Sequence, residues 1–313
     1  MKIVFLDAKT IGDDIDLQGF DALGEVVKHS FSNAEEVPCR VHDAGVIITN
    51  KVKINEAAIG GAKNLKLVCV TATGTDNLDK GYLDSRGIGW RNVAGYSTNS
   101  VAQITFSLLF YLLTKTRYYD DYVKSERYVN DEIFTHFDER FMELEGKTGG
   151  IIGLGAIGQK VADIAKVFGC RVIYYSTSGK NNNPGYEQTS FQELLSQSDI
   201  ISIHAPLTEA TYHLMDKAAF AQMKPTAILI NVGRGPIINE QDLADALESN
   251  LIAAAGLDVL TVEPMSPDNP LKRIKDSRKL LITPHIAWAS VEARTRLMEL
   301  VRQNVIAYMA ENS

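Results

Sequence analysis

The feature that most constrains this chain is an apolar strand-like run, Gly150–Ile152, that leads into a Gly-x-Gly-x-x-Gly pattern at Gly153–Gly158. After the pattern, the apolar residues follow helical spacing, at Val161, Ala162, Ile164, Ala165 and Phe168. A strand, a glycine turn and a helix N-terminus in this order form the site at which a Rossmann unit binds a dinucleotide. Because glycine-rich turns are common, the alternative is a turn with a purely structural role.

Each glycine of this turn has a separate expected role. Gly153 turns the chain, Gly155 lets the backbone approach a pyrophosphate, and Gly158 lets the helix pack on the strand. The helix N-terminus offers free N–H groups and the positive end of its dipole to the phosphates. The residues predicted to bind the cofactor at this turn are Gly153, Leu154, Gly155, Ala156, Ile157 and Gly158.

Length and composition favour a globular protein of two domains. The chain has 313 residues, of which 45% are apolar and 23% charged, and a chain of this length is expected to form about two domains. The net charge of -7 and the lack of a basic run argue against a nucleic-acid partner. The cysteines are isolated in sequence, so neither a disulfide framework nor a zinc site is predicted.

Membrane association is not expected. The apolar run that begins at Met1 is cut short by Asp7, which leaves it too short for a signal peptide. The most apolar long segment, Val101–Leu113, contains polar residues and falls well short of the ~20 residues of a membrane span. We interpret this segment as a buried helix and expect a cytoplasmic protein.

Strand-like runs alternate with helical patterns along most of the chain, which predicts parallel sheets with helices on both faces. The predicted strands are Ile3–Leu6, Val46–Thr49, Leu67–Val70, Gly150–Gly153, Arg171–Tyr175, Ile200–His204, Ala227–Val232, Ala253–Asp258 and Leu280–Thr283. Ser190 and Glu193 form a predicted capping box, and Asn239 precedes a helical pattern that starts at Glu240.

The glycine pattern lies in the middle of the chain, which predicts a dinucleotide domain inserted into another domain. A long helix over 97–117 is expected to leave the first domain, and the chain is expected to return near Ala287. The predicted domains are 1–98 plus 287–313, and 99–286. The polar, aromatic-rich segment 118–146 has two interpretations, an excursion that contacts a second copy in a homodimer or a long surface connection, and we favour the homodimer.

Three polar elements follow the predicted strands of the second half of the chain, where ligands bind in open α/β sheets. Arg234 has the planar donor fork that binds a carboxylate and polarises a ketone. His285 titrates near neutral pH and suits proton donation to a developing alkoxide. Glu263 would hold His285 in one orientation and favour its charged form. This set fits hydride transfer to a 2-keto acid.

Each of these residues also has a structural interpretation. An arginine between glycines is often a solvated turn residue, and a histidine after a strand is often a satisfied loop residue. The Glu263-Pro264 pair is also compatible with a simple segment end. The occurrence of all three residue types at successive strand ends favours the catalytic interpretation.

With these residues in place, the chain resembles the D-isomer-specific 2-hydroxyacid dehydrogenases over essentially its whole length. The segments that carry the resemblance are Gly153–Gly158, His204–Thr208, Asn231–Gly235, Asp258–Pro264 and Pro284–Ala287. The resemblance implies an α/β protein of two doubly wound parallel-sheet domains, with a Rossmann domain inserted into a flavodoxin-like substrate domain. It also implies that Arg234, Glu263 and His285 form the catalytic set.

The resemblance assigns further contacts. It places Asp258 against the nicotinamide amide and the segment around His204, Ala205 and Pro206 on the adenosine side. The Thr73-Gly74 turn resembles the loop whose backbone N–H groups hold the substrate carboxylate. The full predicted cofactor set adds Ser176, Thr177, Val232, Gly233 and Asp258 to the glycine turn and His204–Pro206, and the predicted substrate contacts are Thr73, Gly74, Arg234 and His285.

Within the family, Tyr96–Gln103 and His285–Ser290 look most like glycerate dehydrogenases, also called hydroxypyruvate reductases. The resemblance implies a small substrate, D-glycerate or hydroxypyruvate, with glyoxylate in addition. One alternative is a dehydrogenase for a bulkier acid such as D-lactate or phenyllactate. The other is a non-catalytic nicotinamide-sensing protein, which the complete catalytic set disfavours.

The chain departs from the family pattern after the second cofactor strand. Ser176 stands where relatives usually carry an acidic residue that binds the ribose hydroxyls. Without that carboxylate, Ser176, Thr177 and Lys180 are free to bind a 2′-phosphate. Since a serine also bonds a ribose hydroxyl, both NAD and NADP remain open, and we favour NADP or dual use.

Overall fold

The computed structural model describes residues 1–180 and 182–311, which form two compact units. One unit comprises Met1–Ser97 with Ala289–Ser313, and the other comprises Thr98–Trp288. The predicted boundaries lie after residues 98 and 286, whereas the observed boundaries lie after residues 97 and 288. The first observed boundary coincides with the start of a helix at Thr98.

The described residues form twelve strands and ten α-helices. The strands are β1 Lys2–Phe5, β2 Glu25–Lys28, β3 Val46–Thr49, β4 Leu67–Val70, β5 Gly89–Arg91, β6 Thr148–Ile152, β7 Arg171–Tyr175, β8 Glu187–Gln188, β9 Ile200–Ile203, β10 Ile228–Asn231, β11 Ala254–Leu257 and β12 Leu280–Ile282. The α-helices are α1 Val37–Val41, α2 Glu56–Ile59, α3 Lys80–Ser85, α4 Thr98–Leu113, α5 Thr116–Lys124, α6 Ala156–Val167, α7 Phe191–Gln197, α8 Lys217–Gln222, α9 Glu240–Glu248 and α10 Val291–Glu311.

The first unit is a parallel five-stranded sheet in the order β2-β1-β3-β4-β5. This is the doubly wound order of flavodoxin-like folds. All residues of β3 and β4 are buried, because strands of a parallel sheet are covered on both faces and therefore read as continuous apolar runs. The C-terminal helix α10 packs against β4 in the same unit.

The second unit is a parallel seven-stranded sheet in the order β12-β11-β10-β9-β6-β7-β8. Its first strand, β6, lies inside the sheet, with β7 on one side and β9 on the other. The chain therefore reverses its direction of growth beside β6, which makes the carboxyl end of β6 the topological switch point of a Rossmann sheet. The predicted fold of two doubly wound parallel-sheet domains is confirmed.

Three strands were missing from the sequence prediction. They are β2, β5 and β8, and each has only partly buried or exposed residues. All three lie at sheet edges, where no continuous apolar run marks them. The sequence also predicts a turn at 181–185, and residue 181 lies outside the described residues.

The prediction of one long helix over 97–117 is wrong about where the helix ends. Helix α4 ends at Leu113, and Lys115 adopts a left-handed backbone with φ of 53° before α5 begins. The apolar part of α4 is buried as expected, since it lies on β10 and β11 of the same unit. Gly256 of β11 allows this approach, because a Cβ there would lie 3.1 Å from Leu108 Cβ.

Two predicted helix starts are confirmed. Ser190 and Glu193 form a reciprocal capping box at the start of α7, and Asn239 accepts backbone hydrogen bonds at the start of α9. None of the helices in the described part of the chain has the length and apolarity that a membrane crossing requires. The cytoplasmic location stays a prediction.

Candidate active site

The glycine turn after β6 has a different steric environment at each glycine. Gly153 has φ of 90°, and a Cβ there would lie 2.8 Å from the backbone of Ala205. A Cβ on Gly158 would lie 2.3 Å from the carbonyl oxygen of Gly153. Gly155, the N-cap of α6, has open space where its Cβ would be. Two glycines therefore permit close packing, and the third leaves room for a ligand.

The remaining residues of the turn are placed as the pattern requires. Leu154 is buried in the core, and Ala156 begins α6. Ile157 packs against the core beside α4. The N–H groups of the first turn of α6 therefore lie next to the open space at Gly155, which is the arrangement that binds a phosphate at a helix N-terminus.

Two buried polar atoms lie at the neighbouring strand ends. Ser176 follows β7, and its buried Oγ has no hydrogen-bond partner among the described residues. His204 follows β9, and its Nδ1 is likewise buried without a partner in the part of the chain that the structure describes, while Nε2 lies 3.0 Å from Ser202 Oγ. Buried polar atoms are normally hydrogen-bonded, so these two fit a ligand that supplies the partners.

The imidazole of His204 is neutral at physiological pH, because burial lowers its pKa to about 3. The two residues that follow it complete the predicted adenosine side. Ala205 is buried against Gly153, whereas Pro206 is exposed. Thr177, which follows Ser176 after β7, is half-buried.

Arg234 lies in a turn after β10 that is fixed by the buried side chain of Asn231. Asn231 Oδ1 accepts from Gly233 N at 3.0 Å, and its Nδ2 donates to Arg234 O at 3.0 Å. The guanidinium donates through Nη1 to Gly233 O at 2.8 Å. Val232 is buried, and a Cβ on Gly233 would lie 3.2 Å from Ala205 O, so this turn packs closely beside the one after β9.

Glu263 and His285 form a hydrogen-bonded pair. His285 Nδ1 lies 2.7 Å from Glu263 Oε2, and their side chains are 26% and 33% exposed, respectively. Because a carboxylate only accepts, Nδ1 is the donor. The second carboxylate oxygen, Oε1, accepts from Leu260 N at 2.9 Å. The described residues therefore hold the imidazole through Nδ1.

The backbone of His285 is held in a left-handed conformation by Asp258. His285 has φ of 56°, a region that non-glycine residues rarely adopt and that is often found at functional sites. Its N–H donates to Asp258 O at 2.8 Å. The Asp258 carboxylate accepts from Thr283 Oγ1, Ile286 N and Ala287 N at 2.6, 2.9 and 2.8 Å.

Asp258 is 1% exposed, and burial raises the pKa of its carboxyl while these hydrogen bonds oppose the rise. The donors satisfy both of its oxygens from within the same unit. The contact to a nicotinamide amide that the resemblance implies stays a prediction. The structure adds that Asp258 organises the turn that carries His285.

Thr73 and Gly74 lie in the first unit, in the loop after β4. Asn92 Nδ2 donates to Thr73 O at 2.6 Å, and Thr73 Oγ1 donates to Val93 O at 3.0 Å. Among the described residues, the backbone N–H groups of Thr73 and Gly74 have no acceptor. Thr71, two residues before Thr73, has a buried Oγ1 without a partner in the described chain. The loop thus presents donors that fit an anion.

The structure brings together the groups that the sequence placed at successive strand ends. β10, β11 and β12 are neighbours in the sheet, and Glu263 and His285 are in direct contact. A Cβ on Gly235 would lie 2.0 Å from Leu260 C, so the turn after Arg234 abuts the turn that carries Glu263. The positioning roles of Asn231 and Asn92 were missed, because both act on backbone atoms and leave only a polar residue beside a strand as a signal.

A family model described as D-isomer specific 2-hydroxyacid dehydrogenase, NAD binding domain, matches residues 106–287. A hydroxypyruvate reductase from Blautia hydrogenotrophica is 37% identical over 318 residues, covering 99% of this chain and 97% of the relative. A glycerate dehydrogenase from Methylorubrum extorquens is 33% identical over 310 residues, covering 99% of this chain and 96% of the relative. Among solved structures, an acyclic imino acid reductase in complex with NADPH and D-Arg is similar, with a TM-score of 0.88 and 32% identity. The similarity covers 99% of this chain and 98% of the reductase chain.

Alanine substitutions in the glycine turn are expected to separate cofactor binding from folding. Gly155→Ala places a methyl group in open space, so stability is expected to hold while affinity for a nicotinamide cofactor falls by about tenfold or more. Gly158→Ala forces a contact with Gly153 O and is expected to destabilise the protein by about 1–3 kcal/mol. Thermal unfolding and fluorescence titration with reduced cofactor measure the two effects.

Gly149→Ala is the matched control, because its Cβ would meet only Arg171 O at 4.0 Å, within β6 and away from the turn. It is expected to keep both stability and cofactor affinity. Wild-type affinity in Gly155→Ala would contradict the role of that glycine in the site.

Proposed function

The chain belongs to the D-isomer specific 2-hydroxyacid dehydrogenases, and from this premise we propose that it reduces hydroxypyruvate to D-glycerate, with glyoxylate as a second substrate. Its class of activity is nicotinamide-dependent oxidoreduction of small 2-hydroxy and 2-keto acids. The observation that carries the proposal is the Glu263–His285 pair at 2.7 Å, on strand ends of the sheet that bears the glycine turn. The named activities of the two relatives support the substrate class.

Each proposed catalytic residue has one chemical task. A nicotinamide cofactor whose pyrophosphate binds at the glycine turn would supply or accept the hydride. Protonated His285 donates a proton from Nε2 to the keto oxygen, and in oxidation it accepts that proton back. Glu263 fixes the orientation of the ring by accepting from Nδ1, as a carboxylate does for a catalytic histidine. Arg234 binds the substrate carboxylate and polarises the ketone.

Backbone donors are proposed to complete the binding of the acid. The N–H groups of Thr73 and Gly74 lack an acceptor among the described residues, and Asn92 holds the carbonyl side of the same loop. Donors fixed in this way suit a carboxylate, because they require little reordering when the anion binds.

The direct test is the initial rate of NADH and NADPH oxidation with hydroxypyruvate, glyoxylate, pyruvate and phenylpyruvate. Fastest turnover with hydroxypyruvate is the expected result. Activity confined to pyruvate or phenylpyruvate would replace the substrate and keep the mechanism. Cofactor binding without turnover of any of these acids would contradict catalysis and favour a nicotinamide-sensing protein.

His285→Ala is expected to lower kcat by about 100-fold or more with cofactor affinity intact, because the proton donor is lost. The matched control is His42→Ala, an exposed histidine of the other unit, which is expected to keep the wild-type rate. Arg234→Ala is expected mainly to raise the KM for the acid. Wild-type kcat in His285→Ala would remove this residue from the mechanism.

We propose that the protein uses NADP or both cofactors. Ser176 introduces no negative charge after β7, and its buried Oγ lacks a partner among the described residues. Ser178 and Lys180 follow in an exposed turn that would lie beside a 2′-phosphate bound at Ser176. The NADPH bound by the similar imino acid reductase supports the same proposal.

Ser176→Asp is expected to lower kcat/KM for NADPH by about tenfold or more relative to NADH, because a carboxylate repels the 2′-phosphate and binds ribose hydroxyls. Ser176→Ala removes the hydroxyl without adding charge and separates the two effects. Steady-state kinetics with both cofactors give the ratio. An unchanged ratio in Ser176→Asp would refute the phosphate site.

We propose that the protein is a homodimer formed through the segment 118–146. This segment exposes large apolar side chains, among them Val129 at 79%, Phe134 at 89% and Phe137 at 74%. Several exposed large apolar side chains in one segment are typical of an interface between proteins. Aromatic residues are also favoured at the centres of such interfaces.

Phe134→Glu combined with Phe137→Glu is expected to convert dimers to monomers, because charges would replace aromatic rings that the dimer contact buries. Val167→Glu is the control, since Val167 is equally exposed but lies at the end of α6. Sedimentation equilibrium gives the mass of each variant. A wild-type monomer, or a variant that remains dimeric, would contradict this interface and leave the surface-connection interpretation of the segment.

A further inference from the structure

A second carboxylate lies behind the turn that carries Glu263. Glu240, the first residue of α9, accepts from Thr261 N through Oε1 at 2.7 Å. Its other oxygen, Oε2, accepts from Asn269 Nδ2 at 2.8 Å. Both donors belong to the segment between β11 and β12, so this one side chain holds two points of that segment.

Thr261 and Leu260 provide adjacent N–H groups in the same turn. The N–H of Thr261 donates to Glu240, whereas the N–H of Leu260 donates to Glu263 Oε1 at 2.9 Å. The remaining oxygen of Glu263 binds His285 Nδ1 at 2.7 Å. A continuous path of hydrogen bonds and one short stretch of backbone thus links Glu240 to the imidazole.

The turn has little freedom to move away from Glu240. Gly235 packs against it so closely that a Cβ would lie 2.0 Å from Leu260 C and 2.4 Å from Thr261 N. Asn269, the second donor to Glu240, is buried, and its Oδ1 accepts from Leu271 N at 2.9 Å. The turn is therefore fixed on one side by backbone packing and on the other by the Glu240 carboxylate.

We propose that Glu240 is a positioning residue for the Glu263–His285 pair. It holds the Leu260–Thr261 stretch in the conformation in which Leu260 N binds Glu263 Oε1, and this leaves Glu263 Oε2 directed at His285. Small displacements of a catalytic group lower the rate strongly, since reaction requires aligned groups at short distance. The effect of Glu240 on the rate rests on the proposed function, whereas its effect on the geometry of the Glu263–His285 pair does not.

A purely stabilising role predicts different behaviour. A carboxylate at the first position of a helix also stabilises the helix through its dipole. Loss of that effect lowers the unfolding temperature but leaves kcat of the folded enzyme unchanged. The positioning role instead predicts a loss of kcat that depends on the presence of Glu263.

The kinetic test is a double-mutant cycle of Glu240→Ala and Glu263→Gln, assayed well below the unfolding temperature. Glu240→Ala is expected to lower kcat by about tenfold without changing the dissociation constant of the reduced cofactor. In the Glu263→Gln background the same change is expected to cost less than about twofold, because the carboxylate that it positions is already gone. Equal losses of kcat in both backgrounds would overturn the proposal.

Two further variants serve as references. Glu240→Gln keeps the length of the side chain but retains one acceptor oxygen for two donors, so an intermediate kcat is expected. Glu248→Gln removes an exposed carboxylate at the other end of α9, where it pairs with Arg273, and is expected to keep the wild-type kcat. A Glu240→Gln variant no better than Glu240→Ala would mean that the hydrogen bonds to the turn do not carry the effect.

A measurement independent of turnover uses the imidazole proton itself. In the wild type, proton NMR is expected to show a low-field Nδ1–H signal that disappears in His285→Ala and in Glu263→Gln. Glu240→Ala is expected to weaken this signal or move it upfield, whereas Glu248→Gln leaves it unchanged. A wild-type signal in Glu240→Ala would refute the positioning role. This readout does not require turnover, so a protein that turns over no 2-keto acid would contradict only the proposed function.

Discussion

The parallel alignment of β6 with β7 on one side and β9 on the other is the constraint on which the site depends. In a parallel sheet every strand ends at the same edge, so residues far apart in sequence are collected there. Gly155 stands at the helix N-terminus after β6, Ser176 follows β7, and His204 follows β9. The close contact of Gly153 with Ala205 locks two of these ends together. A Cβ on Gly153 would lie 2.8 Å from the backbone of Ala205, so a larger residue at this position would force the two strand ends apart.

Carboxylates that accept backbone N–H groups determine the geometry of the catalytic edge. Asp258 accepts hydrogen bonds from two backbone N–H groups of the turn that carries His285. Glu263 accepts one from Leu260 N and another from the imidazole of His285. A buried carboxylate is costly unless hydrogen bonds compensate its lost hydration, and here the donors come from the turns that require shaping. The left-handed backbone of His285 persists because Asp258 constrains it on both sides.

The sequence identified the interior of the sheets better than their edges. β3 and β4 were predictable because strands buried on both faces consist of apolar residues throughout. β8 was not predictable, because its two exposed polar residues form a strand only by pairing with β7. Arg234, Glu263 and His285 were recognisable as charged residues after apolar runs. Glu240 was not, because its function depends on a tertiary contact with Thr261 that no local pattern records.

The two histidines of the candidate site show how position decides chemistry. His204 is half-buried with its Nδ1 enclosed, and desolvation lowers its pKa to about 3, which keeps the imidazole neutral at physiological pH. It therefore has no proton to give as an acid and serves only as a neutral hydrogen-bonding group. His285 is partly exposed and is hydrogen-bonded through Nδ1 to the Glu263 carboxylate. The proposed proton donor is therefore His285, on the side of the sheet formed by β11 and β12, whereas His204 follows β9 in the middle of the sheet.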